Sequence, residues 1–237
     1  METDCAATYE RAQHHNSITT WLHSQRFRHA RRVISDAATT LHRPVRVIDI
    51  GCAHAKLFET LRGIPLEYTG IEKLAGFSEA ANARYGSHDN FRFIQDNAIN
   101  ALPDVGRPDV IVALEAMEHM LERDAVRLIE AIASTRPALF LCSVPVEIGP
   151  AIWLKNVGSL VCGYSRHREY TWAQTFWSGL YQLDKMPPHR LAHRGFDWRW
   201  LAQTIRHNLR IKAIHRLPFR FMPAALSTSI FIEAEPY

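Results

Sequence analysis

Val47-Ile48-Asp49-Ile50-Gly51-Cys52-Ala53-His54-Ala55-Lys56 is a strand-length apolar run that ends in an acid, breaks at small residues and leads into a helical pattern. Gly51, Ala53 and Ala55 alternate with larger residues, and small side chains at such a turn let the backbone approach a ligand closely. Outward from this segment the same rhythm repeats. Short β-branched runs at Val45 to Ile50, Leu66 to Ile71, Phe91 to Gln95, Asp109 to Leu114 and Ala138 to Val144 alternate with helical stretches starting near Ala55, Leu74 and Leu121. That alternation predicts an α/β fold: right-handed βαβ units in a Rossmann-like, mostly parallel sheet with helices on both faces and the ligand at the carboxyl ends of the strands. Two further runs, Ile211 to Leu217 and Ser229 to Ala234, are separated by a proline-bounded loop too short for a crossover helix. They predict an antiparallel C-terminal hairpin, which brings the sheet to seven strands.

The composition fits that reading. With 237 residues, 47% hydrophobic and 22% charged, the chain is long enough for one large core, and disorder, collagen and disulfide miniproteins are excluded. Its longest apolar runs, such as Ala138 to Cys142, fall far short of the roughly 20 residues that span a bilayer, and the N-terminus opens with acids. A cytoplasmic protein without membrane insertion is expected. Cys5, Cys52, Cys142 and Cys162 form no Cys-x-x-Cys pair, which fits a reduced compartment. The net charge of +4 permits an anionic partner without requiring one. Phe27, Ala30, Val33, Ile34, Ala37, Ala38 and Leu41 recur at helical spacing from about Gln25, with Arg28, Arg31 and Arg32 on the other side. Those arginines are either a solvated face or a surface for nucleic acid. The expected organisation is an N-terminal helical segment over residues 1–44 and a main domain over 45–237. Within it, the aromatic and basic stretch 146–190 forms a lid or substrate-binding insertion, which either packs on the sheet or lines an acceptor pocket.

Acids recur at successive strand ends. Glu72 lies 23 residues past Asp49, where a carboxylate suits bidentate bonding to a ribose diol; Asp96-Asn97 follows the third strand, placed for an adenine edge, and Glu115 ends the fourth. A nicotinamide site wants Gly-x-Gly-x-x-Gly, and neither its second nor its third glycine is present. From about Val45 to the end, the chain resembles the class I S-adenosylmethionine-dependent methyltransferases. Their first loop reads acid-x-Gly-x-Gly-x-Gly; Asp49 and Gly51 match, while Ala53 and Ala55 replace glycines. The resemblance implies S-adenosylmethionine as cofactor, with Asp49, Gly51 and Ala53 beside its methionine part. It further implies Glu72 on the ribose, Asp96 on the adenine amino group, Asn97 along the ring and Glu115 facing the cofactor. Each alanine costs about 1 kcal/mol where a positive φ is required.

A second cluster is Glu115-Ala116-Met117-Glu118-His119, followed 48 residues after His119 by His167. It resembles the O-methyltransferases of ubiquinone biosynthesis and the enzymes that 2′-O-methylate the 3′ ends of small RNAs. In the RNA enzymes the matching side chains hold a divalent metal, which makes Glu115, Glu118, His119 and His167 candidate ligands. Alternatively His119 is a lone general base for an acceptor hydroxyl, or it only packs the following helix. His167, with Arg168 and Tyr170, resembles a stretch that closes over the active site in small-molecule methyltransferases, so His119 and His167 are the candidate catalytic residues. Asp197 is a candidate helix cap. The function expected first is methyl transfer to a small-molecule acceptor, at a hydroxyl oxygen. The alternatives are an RNA 2′-O-methyltransferase and a methyltransferase fold kept only for binding.

Overall fold

In the computed structural model, which describes residues 17–161, 171–187 and 195–237, helix α1 (Ser17–Leu41) leads into β1 (Val45–Ile50). There follow α2 (Lys56–Thr60), β2 (Leu66–Ile71), α3 (Ala75–Tyr85), β3 (Phe91–Ile94), α4 (Ala98–Ala101), β4 (Val110–Leu114), α5 (Glu122–Thr135) and β5 (Leu139–Pro145). The chain continues through α6 (Ala151–Val161), α7 (Trp172–Gly179), α8 (Trp198–Asn208), β6 (Arg210–Leu217) and β7 (Ser229–Glu235). The seven strands lie in the order β3-β2-β1-β4-β5-β7-β6. Neighbours from β3 to β5 are parallel, and β7 runs antiparallel to both β5 and β6.

Period-two alternation along the strands feeds two cores. Ile48, Ile50 and Ile111 face one side, where Leu128, Ile129 and Ile132 of α5 and Leu201 and Ile205 of α8 bury their apolar stripes. Val45, Val47, Val110 and Val112 face the other, under Ala30 and Ile34 of α1, Leu57, Phe58 and Leu61 around α2, and Tyr85 of α3. Each such side chain, fully buried, contributes about 1.5 to 3 kcal/mol. α1 therefore packs into the sheet's own core. It also begins earlier than its apolar period indicates, since Ser17 to Ser24 contains no helix breaker and the Ser24 and Gln25 side chains bond back to the Trp21 carbonyl. Arg28 and Arg32 are exposed, whereas Arg31 donates to the carbonyls of Thr60 and Arg62 at the end of α2.

In the described part of the expected lid, Trp153 Nε1 of α6 donates to the Thr175 carbonyl at 3.1 Å, and Asn156 Nδ2 donates to Thr175 Oγ1 at 2.9 Å. Gly179 makes this approach possible, because a Cβ there would collide with the Trp153 indole. Thr171 and Gln174 close a reciprocal cap at the start of α7. His167, Arg168, Tyr170, Cys5 and Cys162 lie outside the described residues, while Cys52 and Cys142 are buried free thiols. Among the described residues no helix is long and apolar enough to cross a membrane.

Candidate active site at the carboxyl ends of the sheet

The chain winds outward from β1 to β3, then returns to place β4 on the other side of β1, so strand order reverses between β1 and β4. In an open α/β sheet such a reversal opens a crevice at the carboxyl ends. The ladder continues one residue past each strand: Gly51 N donates to Ile71 O at 2.9 Å, Glu72 N to Ile94 O at 3.1 Å and Glu115 N to Ser143 O at 2.8 Å. Asp49, Gly51, Ala53, Glu72, Asp96, Asn97 and Glu115 are thereby set at the ends of β1 to β4.

The loop after β1 runs through three left-handed residues, with φ of 67° at Gly51, 45° at Ala53 and 54° at Ala55. Gly51 has no substitute, since a Cβ there would stand 2.7 Å from Ala116 Cβ. Both alanines hold the conformation that glycine adopts freely, at a cost of about 1 to 2 kcal/mol each. Ala55 offsets part of this by burying its methyl fully beneath α1. The result is a cradle with small side chains and a backbone free to approach a ligand.

Asp49 points to the α1 face, where the Tyr68 hydroxyl donates to Oδ2 at 2.6 Å. Burial pushes its carboxyl up to about 7; the Tyr68 hydrogen bond pulls it down and the Glu72 charge adds to the rise. The folded protein therefore binds this proton up to about pH 7, whereas the unfolded chain releases it near 3.8. Stability from this group is greatest below the lower value and declines by about 1.4 kcal/mol per pH unit until the upper one. Asp49→Asn abolishes the titration, so its stability relative to wild type is expected to rise by about 2 to 3 kcal/mol between pH 5 and pH 8 in urea unfolding. A difference that stays constant with pH would contradict the assignment.

Glu115 leaves β4 with φ 53°, an uncommon conformation for a non-glycine residue. Its carboxylate accepts from Arg26 Nη1 at 3.0 Å and from Ser229 Oγ at 3.0 Å, so α1 and β7 both fasten it. Glu118 is fully buried, and burial, then the Glu115 charge, raises its carboxyl well above the usual carboxylate range. Nearby Glu147 is also buried and pairs with Lys155 Nζ at 3.1 Å. His119, at the end of the short turn Met117–His119, is exposed. Glu115 and Glu118 therefore share surroundings, with the charges of both Glu115 and Arg26 acting on Glu118, whereas His119 is exposed. Among the described residues their donor atoms do not gather as a metal-ligating group; the group of three that does is His29, His215 and Glu233.

Glu72 is half-buried, and its Oε1 accepts from the Leu74 N–H at 3.1 Å. Asp96 is exposed, with Oδ1 accepting from Asn97 N at 2.6 Å. Asn97 Oδ1 caps α4 through Ile99 N at 3.0 Å, a role its position at the strand's exit did not announce. Asp197 caps α8 as its place before Trp198 indicates. A cavity of about 290 Å³ lies between Glu122 at the start of α5, Leu183, Met186, Phe196 and Trp200, and none of the candidate site residues lines it. Sequence reasoning missed Arg26, although one signal was there: it stands four residues before Ala30 and eight before Ile34, a charge on an otherwise apolar stripe.

The family model described as "Methyltransferase domain" matches residues 22–210. Comparison with curated proteins by sequence finds no match. Among solved structures, the methyltransferase domain of the bacterial protein CtHen1 superposes with a TM-score of 0.63 at 15% identity, covering 91% of this chain and 98% of that one. Magnesium protoporphyrin IX methyltransferase from Synechocystis PCC 6803, with bound S-adenosylhomocysteine, gives a TM-score of 0.56 at 15% identity, over 98% of this chain and 94% of that one. Small RNA methyltransferase HEN1 gives 0.59 at 16%, over 91% of this chain and 25% of the longer protein.

Proposed function

The chain belongs to the methyltransferase-domain family, and on that premise we propose that it transfers a methyl group from S-adenosylmethionine to a hydroxyl oxygen of a small molecule, with His119 as general base. When bound, S-adenosylmethionine supplies an electrophilic methyl carbon on a sulfonium. In this reading the loop from Gly51 to Ala55 receives the methionine part, Glu72 the ribose hydroxyls, and Asp96 and Asn97 the adenine. The observation that carries the proposal is the ordered set of strand ends around the β1/β4 crevice, with exposed His119 just beyond the fastened Glu115. An imidazole there takes the hydroxyl proton, and the chain's remaining contribution is to hold the acceptor in line.

Glu115 is engaged by Arg26 and Ser229, and Glu118 sits in a site that favours its neutral form. His167, the fourth candidate ligand, lies outside the described residues, and no step is routed through a metal ion. The test supplies S-adenosylmethionine labelled in its methyl group to the full chain with a low-mass metabolite extract and, separately, with total RNA. Label in the low-mass fraction, stable to base as an ether requires, is the expected result. Label entering RNA would overturn the acceptor assignment.

A further inference from the structure

On the α1 face, remote in sequence from the strand-end acids, His29 of α1, His215 of β6 and Glu233 of β7 bring one ligand atom each to within 4.8 Å of one another. Glu233 Oε1 stands 2.8 Å from His29 Nε2 and 2.7 Å from His215 Nε2, so a single oxygen is shared between two imidazoles from different elements. The rings are stacked obliquely, 4.5 Å between centroids, and Phe231 backs His29 at 4.3 Å. The packing therefore fixes both imidazoles in the direction of the carboxylate. Their side chains are 7% exposed at His29, 17% at His215 and 15% at Glu233, which leaves one side open to solvent.

We propose that His29, His215 and Glu233 bind one divalent transition-metal ion, Zn²⁺ in preference, which pins α1 to the β6–β7 edge of the sheet. Two imidazole nitrogens and a carboxylate oxygen are a borderline donor set that suits Zn²⁺ and leaves a fourth position for water. Donors around a tetrahedral zinc at its usual bond lengths lie about 3.3 Å apart. Seating the ion opens the two contacts to Glu233 by about half an ångström and draws the two imidazole nitrogens, which lie within 4.8 Å of each other, toward the same spacing. The imidazoles ligate through Nε2, giving up the N–H bonds to Glu233, and the carboxylate exchanges two hydrogen bonds for one metal bond. Arg220 is a cation whose charge acts on His215 and weighs against the site. The three ligands come from the first helix and the last two strands, so the ion joins the two ends of the described fold.

The test uses the full chain stripped with chelator and titrated with Co²⁺, followed by Zn²⁺. One equivalent of Co²⁺ is expected to give the visible absorption of a four-coordinate site, displaced by Zn²⁺, and Zn²⁺ is expected to raise the melting temperature. His215→Gln and Glu233→Gln are each expected to weaken binding by at least about 10- to 100-fold, a range already reached on losing an outer partner of a metal ligand. His119→Ala is expected to bind as wild type does. No absorption or thermal shift in the wild-type chain, or wild-type affinity in both ligand variants, overturns the proposal. So does a signal lost in His119→Ala and kept in His215→Gln, which assigns the ion to the strand-end cluster instead.

Discussion

Replacing Arg26 with methionine is expected to destabilise the fold by about 3 to 5 kcal/mol, the usual cost of removing one partner from a buried ion pair. Arg26 and Glu115 have side chains only 4% and 14% exposed. Removing the guanidinium takes the ion-pair partner from the Glu115 carboxylate, which also accepts from Ser229 and stands beside buried Glu118. Glu115 is already held in a left-handed backbone conformation, so it has little freedom to swing into water. The loss is expected to be largely recovered in Arg26→Met/Glu115→Gln, because a buried pair replaced as a unit is often close to neutral. Urea unfolding of both single variants and the double variant completes the cycle. A loss below about 1 kcal/mol in Arg26→Met, in the range of a surface pair, would contradict the buried pair.

His119→Ala is expected to lower kcat by about 10²- to 10⁴-fold, the range general base catalysis supplies, while binding of S-adenosylhomocysteine stays within about twofold of wild type. The separation follows from the geometry: His119 is exposed on the turn beyond β4, whereas the cofactor candidates sit on the strand ends themselves. Unchanged kcat in the variant would remove His119 from the chemistry and leave it a surface residue of the turn.

The strands were legible because β-branched runs bounded by turn residues are a strong local signal. Leu66–Ile71 matches its sequence expectation, and Leu139–Pro145 differs from it by a residue at each end. The antiparallel pairing of β6 with β7 was legible from loop length, since the connection before Ser229 has no room for a crossover helix, whereas the place of β7 between β5 and β6 was not. The loop after β1 was legible as a question. Its alanines announced a cost if φ is positive, but only the packed structure, with Ala55 wedged beneath α1, fixes that sign. Pairs distant along the chain stayed hidden: nothing local links Arg26 to Glu115, or His29 to Glu233, because sheet order brings them together. The extent of α1 was underestimated for a related reason, as its first turns lack the apolar stripe that marks the rest.

The central claim is that the strand-end cradle binds S-adenosylmethionine in spite of Ala53 and Ala55. Isothermal titration of the purified chain with S-adenosylhomocysteine, the demethylated product, tests it most directly. Saturable binding at about one equivalent with a micromolar Kd, about −8 kcal/mol, is the predicted result. No detectable heat of binding at millimolar ligand would contradict the account, and the chain would then be a methyltransferase fold put to another use.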